Sequence, residues 1–329
     1  MLFVRRVIKR ASEQPLVRRS IGFGLSHLPQ VRRTIDAGLT VFTYHEISDA
    51  PSRFAAQFGL SVSPGTFRRQ LQFIKANFNV VRPLQLLTGQ SLPSRSALIT
   101  FDDGFLGAFE NGLPILKELN LPSVHFLNMQ SILARRPITS AVACYLDLQV
   151  PAFLRFAESV GLKPPFHHTL TPSLLAEYER QHELDYAAIT GYQGPLADIE
   201  TVRRRDGDPD VYFGNHLFEH WNAAALTAQE LEEQFLENEA ALAPLANRVN
   251  LFAFTNGQPN ICFSRRDINT LQRLGTGRVF SSAGGIARDP TQFWLDRFCL
   301  TGPDEDPLDA WYRLGRAALT LRTLKGTSP

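Results

Sequence analysis

Two stretches of the chain carry side chains whose types and spacing suit chemistry. The first is Ala97-Leu-Ile-Thr-Phe-Asp-Asp-Gly-Phe105, in which five residues suited to a buried strand run into two adjacent carboxylates and a glycine. Side chains alternate across a strand, so Asp102 and Asp103 should leave its end in different directions. Neighbouring acids that point differently can take different roles, one holding a metal and the other handling a proton. Gly104 permits a sharp turn and a close approach to a ligand. By itself an Asp-Asp-Gly tripeptide is an ordinary strand-ending turn. The second stretch, Gly214-Asn-His-Leu-Phe-Glu-His220, changes its weight. Histidines four apart on a helical turn present both imidazoles to one point, a spacing suited to zinc. Asp103, His216 and His220 would give a metal three protein ligands and leave positions open for water and a substrate oxygen.

Elements that bring distant residues to one place must accompany these motifs. Leu39–Tyr44 reads as a first strand ending in His45-Glu46, and Ser63-Pro64 as the N-cap and first turn of a helix with Phe67, Leu71, Ile74 and Phe78 on one face. The central strand with its acids follows, then a helix in which Pro114 marks a kink or a first turn, then the strand Ser123–Leu127. Strand, helix and strand at this spacing predict βαβ units and a parallel sheet. Alternation lapses over 134–210, which reads as a mostly helical insertion over one end of the sheet. It resumes at Val211–Phe213, passes a Thr-Ala-Gln-Glu capping box at Thr227, and continues through strands at Asn250–Phe254 and Arg278–Ser282. The expected organisation is a basic helical extension over 1–38, an α/β barrel over 39–329 containing that insertion, and a last helix over 307–325.

Composition sets the limits. Hydrophobic residues make up 44% and charged residues 20% of 329, as in an ordinary soluble globular protein. The net charge of +2 is unevenly spread: residues 1–36 carry eight Lys or Arg against Glu13 and Asp36. Arginines interrupt this opening before a secretion-signal apolar core can form, and no stretch reaches the roughly 20 apolar residues that span a bilayer. The cysteines, Cys144, Cys262 and Cys299, are scattered and read as reduced core residues. These signs predict a cytoplasmic protein with no nucleic-acid partner. Residues 1–36, with Leu2, Val4, Val7 and Ile8 on one face, read as a helix packed on the domain; the sharper reading is an amphipathic segment resting on an anionic membrane surface. Oligomeric state leaves no mark in the sequence.

The paired motifs resemble the polysaccharide deacetylase family, carbohydrate esterase family four. Thr100-Phe-Asp-Asp-Gly104 matches its first motif and His216-x-x-x-His220 its second, and the resemblance extends over roughly residues 40–300. It implies a distorted (β/α) barrel, Asp102 as general base, and Asp103, His216 and His220 as ligands of zinc or another divalent metal. It is closest to the branch that opens with a Tyr-His pair, here Tyr44-His45, and has a Phe-Ala-Tyr-Pro-type loop, here Phe252-Ala-Phe-Thr-Asn-Gly257. Departures are equally visible. Thr255 replaces a proline, the third motif's usual arginine is missing, and no histidine follows His220 to serve as general acid. The Tyr-His branch suggests His45 as the substitute. Arg297, in Trp294-Leu-Asp-Arg-Phe298, resembles the branch's late Pro-Arg motif and would pair with Asp102 to keep it ionised.

Other candidates are weaker. His125 falls within a strand and reads as a satisfied interior histidine; His167-His168, beside Pro164-Pro-Phe166, reads as a surface loop or, less simply, as a substrate contact. Asn128 and Asn215 sit near the motifs and are candidates for orienting ligands or the oxyanion, and Trp294 for walling a sugar pocket or joining the core. There is no phosphate-binding glycine loop and no Gly-x-Ser-x-Gly elbow. The resemblance therefore implies a hydrolase that removes acetyl groups from an acetylated sugar of a cell-surface glycan or its precursor, with metal-activated water and Asp102 as base. Two rivals remain at this point: a deformylase acting on a lipid-linked amino sugar, and a catalytically silent carbohydrate-binding module.

Overall fold

The computed structural model describes residues 14–302, 304 and 306–319. Nine strands form one sheet: β1 (Leu39–Tyr44), β2 (Asn79–Val80), β3 (Ser96–Phe101), β4 (Ser123–Leu127), β5 (Val211–Asn215), β6 (Arg248–Ala253), β7 (Arg278–Phe280), β8 (Trp294–Leu295) and β9 (Arg297–Cys299). Pairing runs β8-β7-β6-β5-β4-β3-β1-β9 with β2 beside β3, and every pairing is parallel. The strands β8 and β9 belong to one short stretch broken at Asp296. One half pairs with β7 and the other with β1, so the sheet comes round to a nearly closed barrel. This is the parallel barrel that the strand-helix alternation predicts. The strands β1, β3, β4 and β5 are buried along their whole length, because helices cover the outer face while side chains fill the inside.

Register decides which residues face inward. The parallel alignments Val41↔Leu98, Thr43↔Thr100, Thr100↔Val124 and Val124↔Tyr212 put one parity of each strand on the inner face. There Val41, Leu98, Val124, Phe126, Leu251, Phe280 and Leu295 form one apolar cluster. The other parity, with Phe42, Tyr44, Ile99, Phe101, Leu127 and Phe213, packs under the outer helices. Continuing the inner parity by one step along β1, β3 and β5 gives His45, Asp102 and His216. Period-two geometry alone aims these three at the C-terminal mouth of the barrel. Gly214 is required on the same track, since a Cβ there would lie 2.6 Å from the Phe126 ring.

Local signals set the helices. Ser63 accepts a hydrogen bond from the Thr66 amide at the start of Pro64–Asn77, and the Thr227 capping box closes with Glu230 at the start of Ala228–Leu242. Pro114 falls in the first turn of Leu113–Leu119, just after a π-helical turn at Ala108–Gly112. Between β4 and β5 the chain forms helices Met129–Ala134, Thr139–Gln149, Pro151–Ser159, Phe166–Thr169, Pro172–Gln181, Tyr186–Gln193 and Ile199–Arg203.

The single helix predicted over 1–36 is corrected to two, Pro15–His27 and Pro29–Ala37. The break falls at Leu28, which precedes a proline and is held extended. Leu2, Val4, Val7 and Ile8 lie outside the described residues. The last described helix, Pro307–Leu319, packs against Pro15–His27; the rest of the helix expected over 307–325 lies outside the described residues. Glycines let the two helices approach: a Cβ on Gly22 would collide with the Leu308 carbonyl, and one on Gly315 would meet Leu25 at 2.6 Å. Arg18 and Arg19 reach the two oxygens of Asp309 at 2.8 and 3.1 Å, so part of the basic N-terminal charge is matched within the fold.

Candidate active site

At the end of β3 the chain turns on two left-handed residues, Asp103 (φ 67°) and Gly104 (φ 76°). Glycine takes this conformation freely and aspartate tolerates it better than most residues. The turn brings the Asp103 carboxylate back over the barrel mouth, beside Asp102 but with other partners. Oδ1 of Asp103 lies 3.2 Å from Nε2 of His216 and 3.0 Å from Nε2 of His220. All three side chains are almost fully buried, and their donor atoms lie within 4.8 Å of one another.

The two histidines do not share the helical turn that their spacing predicts. β5 ends at Asn215, and the chain continues as an irregular turn with left-handed residues at Leu217 (φ 62°) and His220 (φ 63°). Convergence is achieved by that turn, and neighbours fix it. Asn215 accepts from the Leu217 amide at 2.9 Å and donates to the Phe235 carbonyl at 3.0 Å. Asn128 donates to the carbonyls of His216 and Leu217. Both asparagines therefore brace the histidine turn. Thr255, the residue that replaces a proline, is buried and donates its hydroxyl hydrogen to the Trp221 carbonyl, tying the β6 loop to the same turn.

These contacts test whether a metal fits. The Ala253 carbonyl accepts from Nδ1 of His216 at 2.8 Å, so that nitrogen carries the proton and the Nε2 lone pair faces Asp103. The hydroxyl of Ser140 lies 3.0 Å from Nδ1 of His220, leaving its Nε2 turned the same way. A carboxylate and two imidazole nitrogens that converge on one point form a donor set for a divalent cation of the zinc type. Burial acts against the charged form of Asp103, but the two imidazoles outweigh it and hold the carboxyl well below its usual range.

Asp102 stands beside this set. Arg297, fully buried, grips it with both arms, Nη1 to Oδ1 and Nη2 to Oδ2 at 2.6 Å each. The guanidinium is itself held by the Ser281 carbonyl at 2.9 Å and stands over the Phe126 ring at 5.6 Å. Burial raises the Asp102 pKa, and the charge of Arg297, with that of His216, overcomes this and leaves it lowered. Nε2 of His45 is 3.8 Å from Oδ2 of Asp102. Burial pushes the His45 imidazole down, against the pull of Asp103 and Asp102.

A cleft of about 530 Å³ opens over these groups. Its other wall comes from Phe54 and Phe58, from Ser140, and from His167 and His168. The last two form part of the short helix Phe166–Thr169, and His167 lies against Phe58 with ring centroids 5.4 Å apart. They line the cleft, where the sequence favours a loop at the surface. His125 does not reach it. It packs outside the barrel wall, stacked on Phe101 at 4.7 Å, with Nε2 3.2 Å from the Ser123 hydroxyl. Trp294 packs edge-on against Phe263 within an apolar cluster and does not line the cleft. Sequence reasoning missed Ser140 and the Ala253 carbonyl. Ser140 comes from the 139–149 helix with no local motif, and a backbone carbonyl has no signature at all.

Three solved structures are similar in fold. The Streptococcus pyogenes deacetylase PplD, solved in complex with acetate, is 14% identical, with 84% of this chain and 98% of that one covered at a TM-score of 0.57. IcaB from Ammonifex degensii is 17% identical, with 84% and 97% covered at 0.55. A de-N-acetylase from Aggregatibacter actinomycetemcomitans is 16% identical, with 81% and 95% covered at 0.54. No curated protein matches the chain in sequence. The family model for polysaccharide deacetylases, however, matches residues 89–276, more than half the length, from just before β3 to the end of the helix after β6. That span contains both the Asp-Asp-Gly turn and the paired histidines, and the chain is an enzyme of the polysaccharide deacetylase family.

Proposed function

We propose that the cleft hydrolyses the acetyl group of an acetylated sugar from a cell-surface glycan or its precursor, with the ion held by Asp103, His216 and His220. The observation that carries this reading is the convergence of those three side chains beside a second, separately held carboxylate. A divalent cation at the three ligands, zinc by donor type, would polarise the acetyl carbonyl and make a water more acidic. Asp102, kept ionised by Arg297, takes the proton of the attacking water. His45 is the group within reach to pass a proton to the departing amine or alcohol. Because burial favours its neutral form, it must first gain that proton inside the cleft, and Asp102, 3.8 Å away, is the nearest source. Acetate leaves as the second product.

The experiment is an acetate-release assay on the zinc-loaded protein across N-acetyl and O-acetyl sugars. Asp102→Asn should keep the metal and lose turnover by about 100-fold or more; a variant that retains activity would exclude Asp102 as base. Formate released in preference to acetate would reassign the acyl group, and metal binding with no hydrolysis would favour a silent binding module.

A cytoplasmic location at the membrane surface is part of the same reading. The outer face of the Pro15–His27 helix leaves Leu16 at 80% and Phe23 at 59% exposed, next to a strongly basic N-terminal sequence. Among the described residues no helix is long and apolar enough to cross a membrane. The contact in this reading is peripheral, through residues 1–36.

A further inference from the structure

A second opening adjoins the reaction cleft. This notch, of about 310 Å³, lies between β1, β9 and the Pro307–Leu319 helix, and shares Thr43, Ser282 and Cys299 with the cleft itself. Three arginines, Arg297, Arg313 and Arg316, line it, with no carboxylate among the lining residues. Arg297 is committed to Asp102. Arg313 and Arg316 stand one turn apart on the same helix, which aligns their side chains. Arg313 is steadied by Asp304 at 2.6 Å and Thr301 at 2.9 Å and lies over the Phe298 ring; Arg316, an exposed residue, reaches the Tyr312 hydroxyl at 3.0 Å among its contacts. Independently of these cations, Thr43 at the junction of the two openings is 1% exposed, and its hydroxyl has no hydrogen-bond partner among the described residues. A buried hydroxyl without a partner costs free energy that a ligand oxygen would recover.

We propose that this notch binds a phosphate carried by the sugar, so that the enzyme acts on an acetylated sugar phosphate or a phosphate-linked sugar precursor. The inference rests on reading the cleft as the deacetylation site and names the substrate class for it. Donors reach the notch from a strand and from two positions of a helix. A phosphate, with acceptor oxygens in several directions, can engage them together, whereas a planar carboxylate fills a single fork. Distance agrees. Thr43 lies two residues before His45 on the inner face of β1, roughly 7 Å along the strand at ~3.3 Å per residue. One sugar ring bearing an acetyl group and a phosphate spans such a step.

Calorimetry on the full-length protein, freed of metal so that phosphate cannot bind there, tests the notch. The probes are N-acetylglucosamine 1-phosphate, N-acetylglucosamine and inorganic phosphate. The phosphorylated sugar should bind at least tenfold more tightly than the neutral one. Arg316→Gln and Thr43→Val should each remove most of that margin, and Arg203→Gln, an exposed arginine lining neither opening, should preserve it. Equal affinity for the phosphorylated and neutral sugars, or wild-type binding by Arg316→Gln, would overturn the proposal. Two further arms separate the carriers: a nucleotide-linked N-acetylglucosamine in solution and a polyprenyl-phosphate-linked one in vesicles. Tighter binding of either than of the neutral sugar supports the notch and names its source; no advantage for either counts against it. Acetate release from a neutral acetyl ester is scored separately. Its failure would count against the hydrolytic reading and leave the phosphate measurement intact.

Discussion

Arg297 is the largest fully buried side chain among the described residues, and the two oxygens of Asp102 meet its charge. A buried pair of this kind contributes little net stability, because both ions lose water, yet removing one partner strands the other. Arg297→Met should therefore destabilise the fold by about 3–5 kcal/mol in urea unfolding. Adding Asp102→Asn should recover part of that loss, because the stranded charge is gone; a double variant no more stable than the single would show that packing, not charge, dominates. His125 makes a separate prediction about pH. Burial pushes its pKa down from 6.5 to about 3, so between those values the unfolded chain binds a proton that the folded one does not. Its contribution is complete above pH 6.5 and is lost as pH falls towards 3, amounting to a few kcal/mol on the order of magnitude. His125→Phe keeps an aromatic ring against Phe101 and should flatten this part of the acid limb in unfolding midpoints compared at pH 7 and pH 4.5.

Among elements, the helix Thr139–Gln149 has a role beyond covering the barrel. Through Ser140 it touches His220, and Asn256 of the β6 loop lies 3.4 Å from the same hydroxyl. Outer partners of metal-binding histidines fix ring orientation, and losing one usually costs 10–100-fold in affinity. Ser140→Ala should weaken zinc binding by about that factor, read in a competitive chelator titration, with thermal stability of the metal-free protein little changed. Unaltered affinity would mean that the helix only shields the site. The β8–β9 stretch acts differently. It closes the barrel and, in the same few residues, delivers Arg297 to the Asp102 carboxylate.

On the scale of the whole molecule, the N-terminal and C-terminal helices clasp one another on the outside of the barrel, next to the side that carries the basic notch. Arg18 and Arg19 serve this clasp, while Leu16 and Phe23 point away from it. If that face rests on lipid, the Leu16→Glu and Phe23→Glu double variant should lose flotation with vesicles containing anionic lipid and keep its fold, since neither side chain is buried. Flotation unchanged by the double variant would exclude this face as the contact.

Much of this protein follows from local sequence alone. Buried strands show as continuous apolar runs, caps as Ser-Pro and Thr-Ala-Gln-Glu, and the two motifs as an acid pair after one strand and paired histidines after another. Those signals fix the parallel alternation and which residues can carry chemistry, because strand period and capping depend on neighbours in the chain. Tertiary structure decided the rest. Left-handed backbone at Asp103, Leu217 and His220 brings the carboxylate and the two imidazoles together, yet only the neighbouring strands and asparagines hold it there. His167 and His168 reach the cleft because the helices between β4 and β5 fold back over the mouth. Thr43 and Arg316, 273 positions apart by subtraction of their numbers, share a notch only because β9 closes the barrel beside β1. Such meetings depend on register and closure, and these are properties of the assembled sheet that no short window of sequence contains.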